Sequence, residues 1–97
     1  MFGLPEETIQ QIKGCLATFP NIAWVKIYGS RAMGTDKKAS DIDLAFSCPV
    51  DISAKLLSCL DELPTPYLFD VTHYESIAHE GLKAHIDDYG KDLFCKP

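Results

Sequence analysis

The sequence predicts a small two-layer α+β domain, with a small mixed β-sheet and helices mainly on one face. Three observations carry this. Helix-period and strand-like segments follow one another in the order α-β-β-α-β-α. The link between the first two strands holds too little regular structure for a helical crossover, which favours antiparallel or irregular pairing there. Finally, 97 residues, 46% of them hydrophobic, suffice for one core and one domain spanning residues 1–97.

The first segment, "LPEETIQQIKGCLATFP", reads as a helix. Pro5 suits its first turn, and Glu6 and Glu7 suit the positive end of the helix dipole. Ile9, Ile12, Leu16 and Phe19 recur at helical spacing, and Pro20 and Asn21 mark the stop. "IAWVKIYG" follows as a strand, rich in β-branched and aromatic residues and ended by Gly29. "SDIDLAFS" is a second strand that begins polar and turns apolar. Asp51 is then placed to cap "ISAKLLSCLDEL", whose Ile52, Leu56, Cys59, Leu60 and Leu63 share a face. "LPTP" ends that helix, and "YLFDVTHY" is a third strand. "ESIAHEGLKAHIDDYG" reads as a last helix with Ile77, Leu82, Ile86 and Tyr89 inward and Gly90 at its close. "KDLFCKP" fits either an edge strand or a tail.

The net charge of −5 argues against direct nucleic-acid binding, which needs a basic face to displace counterions. It suits a basic protein partner or cations. No apolar run approaches the length of a membrane span, and the first residues lack the pattern of a signal peptide. Cys15, Cys48, Cys59 and Cys95 form no C-x-x-C pair and no zinc-finger spacing with histidine, so four reduced thiols in a cytoplasmic protein are expected. His73, His79 and His85 read as scattered surface or half-buried residues. Gly81, inside the last helix, reads as a tolerated glycine or as room for close packing.

The chemistry is concentrated in "YGSRAMGTDKKASDIDLAF". Side chains alternate across a strand, so Asp41 and Asp43 point one way and Ile42 and Leu44 the other. Adjacent carboxylates repel, and a hard divalent cation such as magnesium relieves them. An aspartate inside "YLFDVTHY" is out of place by propensity. It is explained if this strand lies beside the second and Asp70 joins Asp41 and Asp43. Three such acids can hold two magnesium ions, one at the nucleophile and one at a triphosphate. Gly29 lets backbone approach a phosphate, and Ser30 can cap a short following helix while facing phosphate oxygens. Arg31 is a fork-shaped phosphate donor, while Lys37 and Lys38 read as loop charges.

Gly29-Ser30, ten residues, then Asp41-x-Asp43 resembles the signature of the DNA-polymerase-β-like nucleotidyltransferase superfamily. The string "GSRAMGTDKKASDIDLAF" is similar to the minimal nucleotidyltransferases in particular, and Asp70 matches their third carboxylate. The likeness runs from Pro5 to about Gly90. It implies transfer of a nucleoside monophosphate, most often AMP from ATP, to a hydroxyl with release of pyrophosphate. It also implies that Asp41 and Asp43 hold both metals. Asp70 would hold the catalytic metal and assist deprotonation of the acceptor, and Gly29 and Ser30 would hold the β- and γ-phosphates. Minimal members often accompany a HEPN-domain toxin as its antitoxin, and some adenylylate a toxin tyrosine.

A single acidic domain offers no acceptor platform of its own, which points to a partner protein or a second copy. The function expected is therefore magnesium-dependent transfer of AMP to a protein hydroxyl, with a HEPN-type toxin as partner. The alternative is a non-catalytic antitoxin that acts by complex formation alone. A small-molecule or RNA acceptor ranks third.

Overall fold

The computed structural model describes residues 4–29 and 41–95. Ser30, Arg31, Lys37 and Lys38 therefore lie outside the described residues. Helix α1 (Glu6–Ala17) buries Ile9, Ile12 and Leu16 and carries Glu6 and Glu7 in its first turn. It ends before Pro20 is reached. The Thr18 hydroxyl donates to the Cys15 carbonyl at 2.7 Å and closes the last turn.

Strands β1 (Trp24–Tyr28) and β2 (Ile42–Ser47) pair antiparallel, as the short link between them requires. Helix α2 (Ser53–Asp61) carries the chain across to β3 (Phe69–His73), which lies parallel to β2. Asp51 accepts the Ser53 N–H at 2.9 Å, so it caps from one residue outside the formal cap position. "KDLFCKP" resolves as an edge strand, β4 (Lys91–Cys95), antiparallel to β1. The sheet order is β3-β2-β1-β4.

Alternation sorts the sheet into two faces. Val25, Ile27, Ile42, Leu44 and Phe46 are wholly buried in one core with Ile12, Leu16, Leu56 and Leu60 from α1 and α2. Each of these large side chains contributes about 1.5–3 kcal/mol through burial. The other face is crossed by the third helix, α3 (Glu80–Tyr89), whose Ile86 packs against Tyr28 and Ala45. Two helices thus share one face and the third crosses the other.

The last helix starts later than its pattern suggests. A 3₁₀ turn (Tyr74–Ser76) comes first. His73, expected at the surface or half-buried, is buried. Its Nε2 donates to the Cys48 carbonyl at 2.7 Å, and its Nδ1 lies 2.6 Å from the Ser76 hydroxyl. Glu75 accepts from the Ser47 hydroxyl and the Cys48 N–H. These bonds tie the turn to the end of β2 and withhold its residues from α3. His79 then caps α3, its Nδ1 accepting the Leu82 N–H at 3.0 Å. Tyr89, expected inward, proves 52% exposed, its ring against His85 of the same helix.

The expectation of four free thiols is also corrected. Cys15 of α1 and Cys59 of α2 are joined, their Cα atoms 6.3 Å apart, within the reach of a disulfide. The packing of α1 on α2 brings the sulfurs together. Cys48 is a free, buried thiol. Among the described residues, no helix is long and apolar enough to cross a membrane.

Candidate active site

The parallel register sets Asp43 directly beside Asp70. Their strand neighbours Ile42, Leu44 and Phe69 point into the core, so both carboxylates stand on the opposite face. Asp41 immediately precedes β2 and is exposed, as is Asp70, whereas Asp43 is half-buried. Burial foremost, then the charge of Asp70, then that of Asp41, raises the Asp43 carboxyl above the ordinary carboxylate range. No donor among the described residues hydrogen-bonds to the Asp43 or Asp70 carboxylate. The negative charge is thus concentrated without a protein cation among those residues to offset it.

Gly29 completes this arrangement. It ends β1 with φ at 77°, a conformation that favours glycine. A Cβ placed there would lie 2.6 Å from Asp43 Oδ2. The turn after β1 and the carboxylate of β2 are therefore in contact, and only a residue without a side chain leaves room for both. Gly29, Asp43 and Asp70 are brought together, with Asp41 at the rim. The expectations for Ser30 and Arg31 lie outside the described residues.

The surrounding floor adds two residues with no assigned role in the sequence pattern. The Tyr28 hydroxyl lies 3.1 Å from Thr72 Oγ1, spanning the sheet above Ala45. Burial first, and then the field of Asp43 and Asp70, holds Tyr28 protonated above its usual range, despite the hydrogen bond to Thr72. It is therefore a neutral floor residue and no base. His85 of α3 packs edge-on against Tyr28 with ring centroids 6.3 Å apart, and Tyr89 continues the stack at 5.3 Å. The signal for Thr72 was its spacing, two residues after Asp70. His85 had none, because its position depends on where α3 crosses the sheet.

The donor set suits a hard cation. Carboxylate oxygens are its preferred protein ligands, and the raised Asp43 carboxyl marks a charge that a cation would relieve. Among the described residues, however, no group of three or more acidic, histidine or cysteine side chains is placed to hold a metal ion, so the expected convergence of Asp41, Asp43 and Asp70 on one ion is not assembled there.

Comparison with known proteins agrees with this geometry. Residues 10–97 match the family model described as "Polymerase beta, Nucleotidyltransferase". A toxin–antitoxin solved with AMP-PNP superposes with a TM-score of 0.66 at 26% identity, covering 96% of this chain and 75% of that one. The MntA–HepT toxin–antitoxin gives 0.63 at 22%, over 95% and 74%. A protein from Sulfolobus solfataricus described as a nucleotidyltransferase gives 0.55 at 20%, over 97% and 92%. The last two likenesses show a shared fold alone. No curated protein matches. The family model covers nearly the whole chain, and the chain belongs to the polymerase-β-type nucleotidyltransferase family.

Proposed function

We propose that this protein transfers AMP from ATP to a hydroxyl of a partner protein, with magnesium, and that the partner is a HEPN-domain toxin held inactive by the modification. The observation that carries this reading is the Asp43–Asp70 register pair backed by Gly29. The AMP-PNP and toxin–antitoxin neighbours support the nucleotide and the partner. The net charge of −5 fits a basic partner surface.

In this reading Asp41, Asp43 and Asp70 would hold the metal ions. When bound, magnesium would neutralise charge on the triphosphate and lower the pKa of the acceptor hydroxyl. Gly29 and Ser30 would hold the triphosphate against backbone, and Arg31 would serve as a phosphate donor. The exposed Asp70 carboxylate takes up the proton as the acceptor oxygen attacks the α-phosphorus in line. The bond from α-phosphorus to the bridging oxygen breaks, and pyrophosphate leaves. The cytoplasm, where ATP and magnesium are abundant, is the compartment this chemistry needs.

Incubation with α-labelled ATP, magnesium and a candidate HEPN-domain toxin tests the proposal. Label should appear on the partner and vanish with Asp41→Ala/Asp43→Ala, while the complex persists. A second reading has one observation behind it: among the described residues no group of three or more potential ligands is placed to hold a metal ion. On that reading the chain neutralises its partner by binding alone. Tight complex formation with no label on the partner would select it.

A further inference from the structure

We infer that the open edge of β3 is the docking rail for the acceptor protein, which adds an extended segment there and so delivers its hydroxyl to Asp70. The inference rests on the proposed protein acceptor and specifies where that acceptor lies.

The edge itself is the first observation. β3 is the outermost strand, paired only with β2. The Ile42 N–H donates to the Leu68 carbonyl at 2.8 Å. Backbone groups alternate along a strand, so those of Leu68, Asp70 and Thr72 face β2 and those of Val71 face outward. Among the described residues, nothing pairs with the outward N–H and C=O of Val71. Such an edge is a ready template for strand addition.

The second observation is a cavity of about 500 Å³ along that same edge. Val71 and Thr72 of β3 line it together with the apolar Ile77 and Leu82 and the polar Asp51 and His79. Its volume falls within the range of ligand clefts. Thr72 belongs both to this cavity and to the floor beneath the carboxylates, through its contact with Tyr28. From Asp70 to Thr72 is one two-residue step, about 6–7 Å along the strand. An added strand therefore places alternate side chains into the cavity and over Asp70.

Charge selects the occupant. Among the described residues no lysine or arginine lines the cavity, whereas Asp51 does; Asp70 follows along β3, with Asp43 beside it on β2. An extended segment bearing a hydroxyl residue flanked by lysine or arginine complements this lining. Nucleic acid, carrying phosphates, does not.

Amide exchange of the ¹⁵N-labelled protein with the HEPN-domain toxin that it labels or binds, without ATP, tests the inference directly. The Val71 N–H should exchange freely in the unbound protein and slow at least tenfold in the complex. Asp70 and Thr72 amides, already in the β2 ladder, should be protected in both. Val71→Pro removes the outward N–H, a change that sheet edges tolerate, together with the Val71 side chain packed on the core; Val71→Ala, which keeps the N–H, is the control and should bind as wild type. Val71→Pro should weaken the complex at least tenfold, with magnesium-ATP binding unchanged by calorimetry and the Asp70 and Thr72 amides still protected. Fast Val71 exchange within a formed complex, failure to form a complex, or wild-type affinity of Val71→Pro would each overturn the inference. Protection of Val71 without label transfer would leave the docking rail standing and remove the transfer reading.

Discussion

Asp43 and Asp70 sit side by side on parallel strands, one half-buried, the other exposed, with no donor among the described residues bonded to either carboxylate. Folding brings them together against their mutual repulsion. Such an arrangement persists because the core on the other face of the same strands is strong enough to impose it. Ile42, Leu44 and Phe69 anchor the very positions that alternate with the acids. The site is thus built at a cost in stability, and that cost is measurable.

The first prediction follows from the sign of the Asp43 shift. Burial and the neighbouring acids raise its carboxyl in the folded state. The native state therefore binds more protons than the unfolded chain, and stability falls as pH rises from the unfolded value through the raised folded value. Asp43→Asn removes this penalty. Thermal melts of the metal-free protein should show the variant above wild type by a few degrees at pH 7, with about 1 kcal/mol corresponding to roughly 4–8 °C for a domain of this size. The gap should close as pH falls below the ordinary carboxylate range. A gap that stays constant with pH would rule out a charge origin.

Gly29 gives the second. Alanine there meets two penalties, the left-handed backbone and the Asp43 carboxylate. The backbone penalty alone is about 1–2 kcal/mol. Gly29→Ala should therefore destabilise wild type by more than that and Asp43→Ala by no more than that. A denaturation cycle of the four proteins should return a coupling of about 1 kcal/mol or more. Additive effects would mean that Gly29 and Asp43 are not in contact. Nucleotide binding should fall in Gly29→Ala in either background.

The fold and half of the site were legible because both rest on short-range periodicity. Alternation in "SDIDLAFS" and "YLFDVTHY" places Asp41, Asp43 and Asp70 on the non-core side with no knowledge of the rest of the chain. What it cannot supply is contact between elements distant in sequence. The Cys15–Cys59 link joins residues 44 apart and follows from helix packing. The late start of α3 is set by His73 and Glu75 reaching back to Ser47 and Cys48, bonds that no helical pattern encodes. His73 read as a surface or half-buried residue for the same reason. Its buried ring is satisfied at both nitrogens by partners outside its own strand.

The third prediction concerns the floor. Tyr28 and Thr72 come from strands on either side of β2 and meet over Ala45. Tyr28→Phe and Thr72→Val should each cost about 1 kcal/mol, the net worth of such a hydrogen bond. The double variant should cost little more than either single one. Ala45→Leu should cost more, about 1–3 kcal/mol, because the buried methyl leaves no room beneath Tyr28 and Ile86. Chemical denaturation of the four variants measures all of this, and a harmless Ala45→Leu would refute the packing.

The last prediction separates a glycine's two roles in α3. Gly81 lies in the first turn, where alanine would ordinarily stabilise the helix by about 1 kcal/mol. Here a Cβ would stand 2.7 Å from Cε1 of the His79 ring, and that ring caps the helix by accepting the Leu82 N–H. Gly81→Ala must therefore displace the cap to gain the propensity. Losing the cap costs about 0.5–2 kcal/mol, so the single substitution should be close to neutral or destabilising. In a His79→Ala background the obstacle is gone, and Gly81→Ala should recover the full helix gain. Melts of wild type, both single variants and the double variant decide the matter. A stabilising Gly81→Ala in wild type, equal to its effect beside Ala at position 79, would show that the His79 ring does not occupy the space.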